Sequence, residues 1–232
     1  MFDFIRKPTL WDTWDRKLDF TIGTKRQFSL KTIQDLAVYN VLQDVRDKWI
    51  AEIGGGHSRL LPRLAKTNRC FNIDKFEGLA GGPAMAKYIW RVKNIRAYLG
   101  DQDPALTDGM FDLLFSISVV EHVPTDRLAA FHADQLRILK PGGLFLHAID
   151  LYLEDRPALH TVERFEHYRA WVTGTAGVEP IGPVFDGDCR FTCDLATNPD
   201  DVMYAWGEIA PQLTELRQHA QSVSLLLGGR KL

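Results

Sequence analysis

Two hydrophobic patterns alternate between residues 30 and 150. Apolar residues recur at helical spacing in some stretches, and short apolar runs between them are typical of buried strands. The predicted helices cover residues 30–45, 60–64, part of 75–93, and 128–139; the predicted strands cover residues 49–53, 70–74, 95–99, 111–119 and 144–149. This alternation favours an α/β fold, a doubly wound and mostly parallel sheet with helices on both faces.

The two ends of the chain depart from this alternation. Residues 1–28 are rich in aromatic side chains and are predicted to form a small N-terminal cap on the main domain, residues 29–232. After residue 150 the pattern changes, and residues 151–188 hold one helical stretch and a Gly/Pro-rich loop. We expect an insertion there, before the sheet resumes with strands near 190–195 and 222–227 and a helix between them.

The turn after the first predicted strand has an unusual sequence, IAEIGGGHSR, with three glycines at 54–56 and Glu52 before them. A phosphate-binding P-loop would end in Gly-Lys-Ser/Thr, but residues 57–59 are His-Ser-Arg. A dinucleotide-binding turn needs G-x-G-x-x-G, and here Arg59 occupies the third glycine position. Neither phosphate-binding pattern therefore fits.

The carboxylate beside this turn favours a ligand that is positively charged at that end. Glycines let the backbone approach a ligand closely, and Glu52 can pair with an ammonium group. S-adenosylmethionine carries an ammonium and a sulfonium. The pattern E/D-x-G-x-G-x-G, with Ser58 in its last position, resembles motif I of the class I, Rossmann-like S-adenosylmethionine-dependent methyltransferases.

The resemblance extends over residues 30–150. Asp74 ends the second predicted strand 22 residues after Glu52, where the family has an acid that binds both ribose hydroxyls. Residues 100–102, Gly-Asp-Gln, are similar to the family's adenine-contacting turn. The stretches DGMFDLLFSISVVEHVP and LRILKPGGLFLHAID are similar to its fourth strand and to the following helix, turn and fifth strand. The resemblance implies a seven-stranded sheet whose last strand is antiparallel.

S-adenosylmethionine is accordingly the implied cofactor. The implied cofactor-binding residues are Glu52, Gly54, Gly55, Gly56, Asp74, Asp101, Gln102 and Ser118. The acids also have ordinary structural explanations: an exposed acid at a strand end for Glu52, a helix N-cap for Asp74, and a turn residue for Asp101.

Methyl transfer requires an acceptor aligned with the activated methyl group, and a nearby base helps when the acceptor carries a proton. The candidate catalytic residues are His122, at the end of the fourth predicted strand, and His147 and Asp150, on the fifth. Alternation places His147 and Asp150 on opposite sides of their strand, unless Asp150 lies at its end. For His122 the alternative is a histidine that only packs near the cofactor.

The segment 151–188 stands where relatives carry a substrate lid. His160, Glu163, Arg164 and His167 share one helical face, which either lines a polar pocket or faces solvent. A metal bound by His160, Glu163 and His167 has little support in the sequence, and we predict no metal site.

Charge and missing motifs narrow the acceptor. The net charge of -2 disfavours a large nucleic-acid substrate. The fourth predicted strand ends in SISVV, without the Asn/Asp-Pro-Pro-aromatic motif of enzymes that methylate planar amino groups, and no Pro-Cys pair marks a cytosine C5 enzyme. We expect the acceptor to be a small molecule or glycan, methylated on oxygen in preference to nitrogen.

The remaining features indicate a cytoplasmic protein. The three cysteines form no disulfide framework, and no segment has the pattern of a signal peptide or a membrane span. We expect no membrane partner, and the oligomeric state stays open, a homodimer included. Two other functions remain in view: a catalytically silent binding or assembly protein of the same fold, and an NAD(P)-linked oxidoreductase, which Arg59 and Glu52 disfavour.

Overall fold

The computed structural model describes residues 1–6, 30–78, 82–190 and 220–232. The strands are β1 (Phe2–Phe4), β2 (Trp49–Ile53), β3 (Arg69–Asp74), β4 (Val92–Arg96), β5 (Phe111–Ile117), β6 (Leu139–Glu154), β7 (Val178–Pro180) and β8 (Ala220–Lys231). The helices are α1 (Leu30–Leu42), α2 (Leu61–Leu64), α3 (Leu128–Ile138) and α4 (Leu159–Thr173), with short 3-10 turns at Val120–His122 and Thr125–Arg127. None of the described helices combines the length and the apolarity needed to cross a membrane.

One sheet contains all eight strands of the described residues, in the order β1-β8-β6-β5-β2-β3-β4, with β7 also paired to β8. Strands β4, β3, β2, β5 and β6 run parallel, and β8 is antiparallel to β6. This confirms the predicted α/β fold with a mostly parallel sheet. Because the parallel strands end at one edge, the turns that follow β2, β3 and β5 lie side by side there.

The first residues of the chain belong to this sheet. Strand β1 pairs antiparallel with β8, so that Phe2 lies opposite Leu227 and Phe4 opposite Leu225. Both phenylalanines point into the core, where their rings contact Phe165 at centroid distances of 4.9 and 6.1 Å. The described part of the predicted cap is thus an edge strand, and residues 7–28 of the cap lie outside the described residues.

The segment predicted as a lid contributes helix α4 to the core, and its role as a lid stays a prediction. Helix α4 buries Phe165, Tyr168, Trp171 and Val172 against the sheet, because its apolar residues recur at helical spacing. Three residues of its predicted polar face, His160, Glu163 and His167, are exposed, which agrees with the solvated alternative. The fourth, Arg164, is partly buried and donates hydrogen bonds to the turn after β5. Strand β6 also continues past the predicted end at residue 149, because residues Leu144–Glu154 pair without interruption with β8. The strand and helix predicted at 190–195 and 200–217 lie outside the described residues, apart from Arg190.

Alternation along the strands divides the core into two layers. Phe145 and Ile149 of β6 pack with α3 and α4, whereas Leu146 and Ala148 pack with α1 and α2. His147 follows the first set and Asp150 the second, as alternation predicts. The two candidate bases of β6 therefore lie on opposite faces of the sheet.

Candidate functional site

A cavity of about 380 Å³ opens at the carboxyl ends of β2, β3 and β5. Gly54 and Asp74 line one side of it, and Ser118 and His122 line the other. The volume is in the range of small-molecule sites, and the position is the switch point where ligands bind in open α/β sheets.

The glycine turn forms one wall of this cavity. Gly54 and Gly56 adopt the left-handed backbone conformation, with φ of 63° and 51°. A Cβ on Gly54 would lie 2.6 Å from Val119 Cγ2, and one on Gly56 would lie 2.9 Å from Pro83 Cδ. At Gly55 the obstacle would be Asn72 Oδ1, also at 2.6 Å. A residue with a Cβ at any of these three positions would therefore force the turn open and displace its backbone.

Asp74 lies where the sequence predicted it, at the end of β3 and on the cavity wall. Its Oδ2 accepts a hydrogen bond from the backbone N–H of Gly56 at 2.9 Å, and its Oδ1 accepts one from Phe76 at 2.8 Å. These bonds fix the carboxylate against the glycine turn. Since a carboxylate offers about four acceptor positions, each oxygen retains capacity for a hydroxyl donor such as those of ribose.

Glu52 lies beneath the glycine turn rather than on the cavity wall. The side chain is buried, its Oε2 accepts a hydrogen bond from the Ser58 hydroxyl, and Asn72 is its cross-strand neighbour. Burial raises the pKa of Glu52 to about 8; the Ser58 hydrogen bond opposes this shift, and Asp35 adds to it. The direct ion pair with a ligand ammonium therefore stays a prediction.

Arg59 connects the glycine turn to α1. Its guanidinium binds the buried carboxylate of Asp35 through two hydrogen bonds of 2.5 and 2.8 Å. Burial raises the pKa of Asp35, and the hydrogen bond from Arg59 opposes that shift. Asp35 was not among the site residues predicted from the sequence, although a charged residue among the apolar residues of a predicted helix was a usable signal.

The turn at residues 100–102 is held by the buried Asp134 of α3. Its Oδ2 accepts hydrogen bonds from the N–H groups of Gly100 at 2.7 Å and Gln102 at 3.3 Å. The Asp101 carboxylate is half-exposed and pairs with Arg127. Neither Asp101 nor Gln102 is on the cavity wall, which is apolar at this end, with Leu99 and Phe131. Their contact with adenine stays a prediction.

Ser118 reaches the cavity from the end of β5 in a left-handed conformation, φ 53°. Its hydroxyl lies 2.9 Å from Gln34 Oε1 and 3.3 Å from Asp150 Oδ1, and the Gln34 amide donates to Asp150 at 2.5 Å. Burial raises the pKa of Asp150, and the bond from Gln34 opposes this. Asp150 therefore contacts the cavity wall through a hydrogen bond with Ser118. Gln34 was missed, although it too is a polar residue on the apolar face of α1.

His122 and Glu121 lie in the 3-10 turn after β5. His122 lines the cavity, its side chain is 56% exposed, and its Nε2 is 4.0 Å from Glu121 Oε1. Burial raises the pKa of Glu121 to about 8, and the nearby Asp150 raises it further. Of the three candidate bases, the structure thus brings His122 and Asp150 to the same end of the site.

His147 is not at the site. It is fully buried, with Nδ1 2.8 Å from the Ser116 hydroxyl and Nε2 2.8 Å from Gln135 Oε1. Burial lowers its pKa to about 3, with a further contribution from His132. Because both ring nitrogens are engaged inside the core, its position contradicts the catalytic role predicted for it. Because side chains alternate along β6, His147 points to the same side as Phe145 and Ile149, towards the layer of α3 and α4.

No group of three or more His, Cys, Asp or Glu side chains in the described ranges is arranged to hold a metal ion. His160, Glu163 and His167 on the outer face of α4 do not form such a group either. The polar groups at the cavity are instead carboxylates, a hydroxyl and an imidazole beside a glycine turn. These groups fit an uncharged or cationic ligand with hydroxyl groups, as S-adenosylmethionine is, better than a metal ion.

Residues 51–147 match a family model described as a methyltransferase domain. Three solved structures are similar in fold. The first is Burkholderia thailandensis 1,6-didemethyltoxoflavin-N1-methyltransferase with bound 1,6-didemethyltoxoflavin and S-adenosylhomocysteine: 15% identity, 97% of this chain, 86% of that chain, TM-score 0.51. The second is Haemonchus contortus phosphoethanolamine N-methyltransferase 2 with S-adenosylmethionine: 16% identity, 85% and 52% coverage, TM-score 0.52. The third is a Bacillus halodurans C-125 protein assigned as a methyltransferase: 16% identity, 85% and 98% coverage, TM-score 0.51. No curated protein sequence matches the chain significantly.

The fold is Rossmann-like, with a cavity at the switch point of the sheet. Residues 51–147 are a methyltransferase domain by the family model, and two of the similar structures are methyltransferases with S-adenosylmethionine or S-adenosylhomocysteine bound. The chain spans 31% and 52% of the length of two Haemonchus contortus phosphoethanolamine N-methyltransferases.

Proposed function

We propose that this protein transfers a methyl group from S-adenosylmethionine to an oxygen or nitrogen atom of a small molecule or sugar-like metabolite. The observation that carries the proposal is the cavity of about 380 Å³, with the glycine turn and Asp74 on one side and Ser118 and His122 on the other. When bound, the cofactor supplies a methyl group already activated by the sulfonium, so the protein mainly has to align an acceptor with it.

The cofactor side of the cavity is assigned to the residues around β2 and β3. Asp74 accepts hydrogen bonds from the ribose hydroxyls, because its carboxylate is fixed by two backbone N–H groups and keeps free acceptor positions. Leu99 and Phe131 supply an apolar wall for the adenine ring. Gly54 and Gly56 keep the wall free of side chains where the ligand approaches.

The acceptor side is assigned to the turn after β5 and to β6. His122 lines the cavity, and Asp150 lies behind the Ser118 hydroxyl, so both are within the region where an acceptor would meet the methyl group. Two of the structural neighbours are named as N-methyltransferases of small molecules, 1,6-didemethyltoxoflavin and phosphoethanolamine. These names support a small acceptor and give nitrogen equal weight with oxygen.

Calorimetric titration with S-adenosylhomocysteine tests the proposal. We expect binding with a dissociation constant in the micromolar range, and at least a tenfold loss of affinity in Asp74→Ala, as for the loss of about two hydrogen bonds. Asp44→Ala is the matched control, because Asp44 is exposed at the opposite end of the sheet. Folded wild-type protein that binds no S-adenosylhomocysteine at high micromolar concentration would contradict the proposal. Binding without turnover across a broad acceptor panel would favour the silent binding protein.

A further inference from the structure

The buried side chain of Asn72 on β3 has a fixed amide orientation and an oxygen without a partner. Its amide nitrogen donates to the carbonyl oxygen of Gly56 at 2.9 Å and to Asn94 Oδ1 at 3.1 Å. Because a carbonyl oxygen can only accept, the first bond establishes which end of the amide is the nitrogen. Asn72 Oδ1 is closed to solvent and has no donor among the described residues. A buried acceptor in this state costs about 1–3 kcal/mol, so a donor is expected beside it.

The carboxyl group of Glu52 meets this oxygen beneath the glycine turn. Glu52 and Asn72 are opposite each other on the parallel strands β2 and β3. The point that a Cβ on Gly55 would occupy is 2.6 Å from Asn72 Oδ1 and 2.9 Å from Glu52 Cδ. Glu52 Oε2 accepts a hydrogen bond from the Ser58 hydroxyl, and no described residue donates to Oε1. The Ser58 hydroxyl in turn accepts the Leu61 N–H at 3.0 Å, which fixes its orientation.

The charged groups around Glu52 disfavour a carboxylate at this position. Asp35 of α1 and Asp74 of β3 both make its ionisation less favourable. Arg59 acts in the opposite direction, but its guanidinium is bound to Asp35 by two hydrogen bonds. Burial raises the pKa of the neighbouring Cys70 thiol to about 12, so this group is neutral too. A Glu52 carboxylate would therefore be buried between acids without a cation of its own.

Glu52 is also set back from the ligand side of the turn. Ile53 and Gly54 line the cavity, whereas Glu52 is 5% exposed and is not part of the wall. The glycine-turn pattern implies an ion pair between this acid and the ammonium of the cofactor. Such a pair needs a carboxylate that the ligand can reach.

We propose that Glu52 is an uncharged positioning residue: its protonated carboxyl group donates to Asn72 Oδ1, accepts from Ser58, and does not pair with the cofactor ammonium. A protonated carboxyl group carries one O–H donor and keeps acceptor positions, which is the combination that these two neighbours require. A carboxylate has no donor and would place one more acceptor against Asn72 Oδ1. This role rests on the proposed function, in which S-adenosylmethionine binds at the turn, and replaces the implied ion pair.

The hydrogen bond between Glu52 and Asn72 supports the ribose-binding side of the cavity. Asn72 holds the carbonyl oxygen of Gly56, and the N–H of Gly56 donates to Asp74 Oδ2 at 2.9 Å. The bonds thus run from Glu52 through Asn72 and Gly56 to Asp74. Loss of the first bond would allow the Asn72 amide to rotate and would loosen the Gly56 peptide that orients Asp74. The effect should be the same for any ligand that carries the ribose, with or without an ammonium group.

Two ligands separate this role from an ion pair: S-adenosylhomocysteine, which carries the ammonium group, and 5′-methylthioadenosine, which has the same nucleoside and sulfur without it. Calorimetry measures the affinity of the full chain for both. Glu52→Gln keeps a donor for Asn72 and an acceptor for Ser58, so both affinities should stay within about twofold of wild type. Glu52→Met removes both hydrogen bonds, so both affinities should fall at least about fivefold. Glu163→Gln is the control, because Glu163 is exposed on α4.

An ion pair predicts a different pattern, in which both Glu52 variants bind S-adenosylhomocysteine at least about tenfold more weakly and 5′-methylthioadenosine as wild type does. That pattern, or unchanged affinities in a folded Glu52→Met, would overturn the inference. Circular dichroism establishes that each variant is folded.

Carbon-13 NMR of the glutamate carboxyl groups gives a second measurement, which does not depend on the Glu52→Met variant. At pH 6 the resonance that disappears in Glu52→Gln should have the chemical shift of a protonated acid, both in the ligand-free protein and with S-adenosylhomocysteine bound. The shift of an ionised carboxylate in either state would overturn the inference. These results differ from failure of the proposed function, in which wild-type protein does not bind S-adenosylhomocysteine.

Discussion

Two buried polar clusters lie on opposite faces of β6, and they differ in how completely their hydrogen bonds are satisfied. The histidine cluster consists of Ser116, His132, Gln135, His147 and Thr175. The carboxyl cluster consists of Gln34, Ser118, Glu121, Asp150 and Ser224. Every member of the first cluster is bonded to the next, whereas Glu121 in the second has no partner among the described residues.

The hydrogen bonds of the histidine cluster run in one direction. The Gln135 amide must donate through nitrogen, so it donates to His132 Nδ1 at 2.9 Å and accepts from His147 Nε2 at 2.8 Å. Ser116 then donates to His147 Nδ1, and His132 donates to Thr175. Both imidazoles are neutral, which agrees with pKa values lowered by burial to about 4 for His132 and about 3 for His147. Such a network stabilises the core, and all four imidazole nitrogens in it are already engaged.

The comparison separates residues that maintain the fold from residues available to a ligand. His147 and Asp150 are three positions apart on one strand and were both predicted as bases. Only Asp150 is hydrogen-bonded to a polar residue of the cavity wall, Ser118. A satisfied buried network favours a structural role, and an unsatisfied group beside a cavity favours a functional one.

The largest effect is expected from breaking the histidine cluster. His147→Leu leaves the Ser116 hydroxyl and the Gln135 carbonyl buried without partners, so the free energy of unfolding should fall on the order of 3 kcal/mol. Urea unfolding measures this, and the control is His160→Leu on the exposed face of α4, which should change stability by less than about 0.5 kcal/mol. Unchanged stability together with lost methyl transfer would restore His147 as a catalytic residue.

The opposite sign is expected in the carboxyl cluster. Glu121→Met removes a buried acid without a partner and keeps the volume, so the free energy of unfolding at pH 8.5 should rise on the order of 1 kcal/mol. Thermal or urea unfolding measures this change; a clear loss of stability would show that Glu121 supports the fold and would remove the contrast between the clusters.

Two buried acids, Glu52 and Glu121, and the histidine cluster should also respond to pH in opposite directions. The folded-state pKa of Glu52 and of Glu121 is raised to about 8 from about 4.5, so stability from these acids is fully present below pH 4.5 and is lost as pH rises towards 8. The pKa values of His132 and His147 are lowered, so their contribution is present above pH 6.5 and is lost as pH falls.

The substitution Glu52→Gln tests the pH-dependent contribution of Glu52 to stability. The difference in the free energy of unfolding between the variant and wild type should shift in favour of the variant by on the order of 3 kcal/mol between pH 5.5 and pH 8.5. Urea unfolding at the two pH values measures the shift. A difference that does not change with pH would mean that the pKa of Glu52 in the folded protein is near its ordinary value.

The smallest effect is expected at the turn that holds Asp101. Asp101→Asn removes a half-exposed ion pair with Arg127, so stability should change by less than about 0.5 kcal/mol. If Asp101 accepts a hydrogen bond from adenine in the complex, the affinity for S-adenosylhomocysteine should fall about threefold to tenfold. Calorimetry measures this, and unchanged affinity would leave Asp101 as a residue of the turn only.

Hydrophobic periodicity in the sequence was enough to predict the sheet. The apolar runs near 49–53, 70–74 and 111–119 are close to β2, β3 and β5, because strands buried on both faces must be apolar throughout. The glycine turn and Asp74 could also be located, since left-handed glycines and an acid after a buried strand are local features. The third predicted strand, 95–99, was displaced from β4 at Val92–Arg96, because an edge strand carries a weaker apolar signal.

The sequence by itself determined the fold class, the position of the cavity and the class of ligand, because these depend on periodicity and on residues adjacent in the chain. Only the tertiary structure decided which polar residues meet: it brought Gln34 of α1 to Asp150 of β6, Asp35 to Arg59, and His147 to Gln135. Residues far apart in sequence acquire partners through the crossing of helices over strands, and burial then sets their pKa values. For that reason, the sequence could name His147 and Asp150 as equivalent candidates, and the fold placed one in the core and the other beside the cavity.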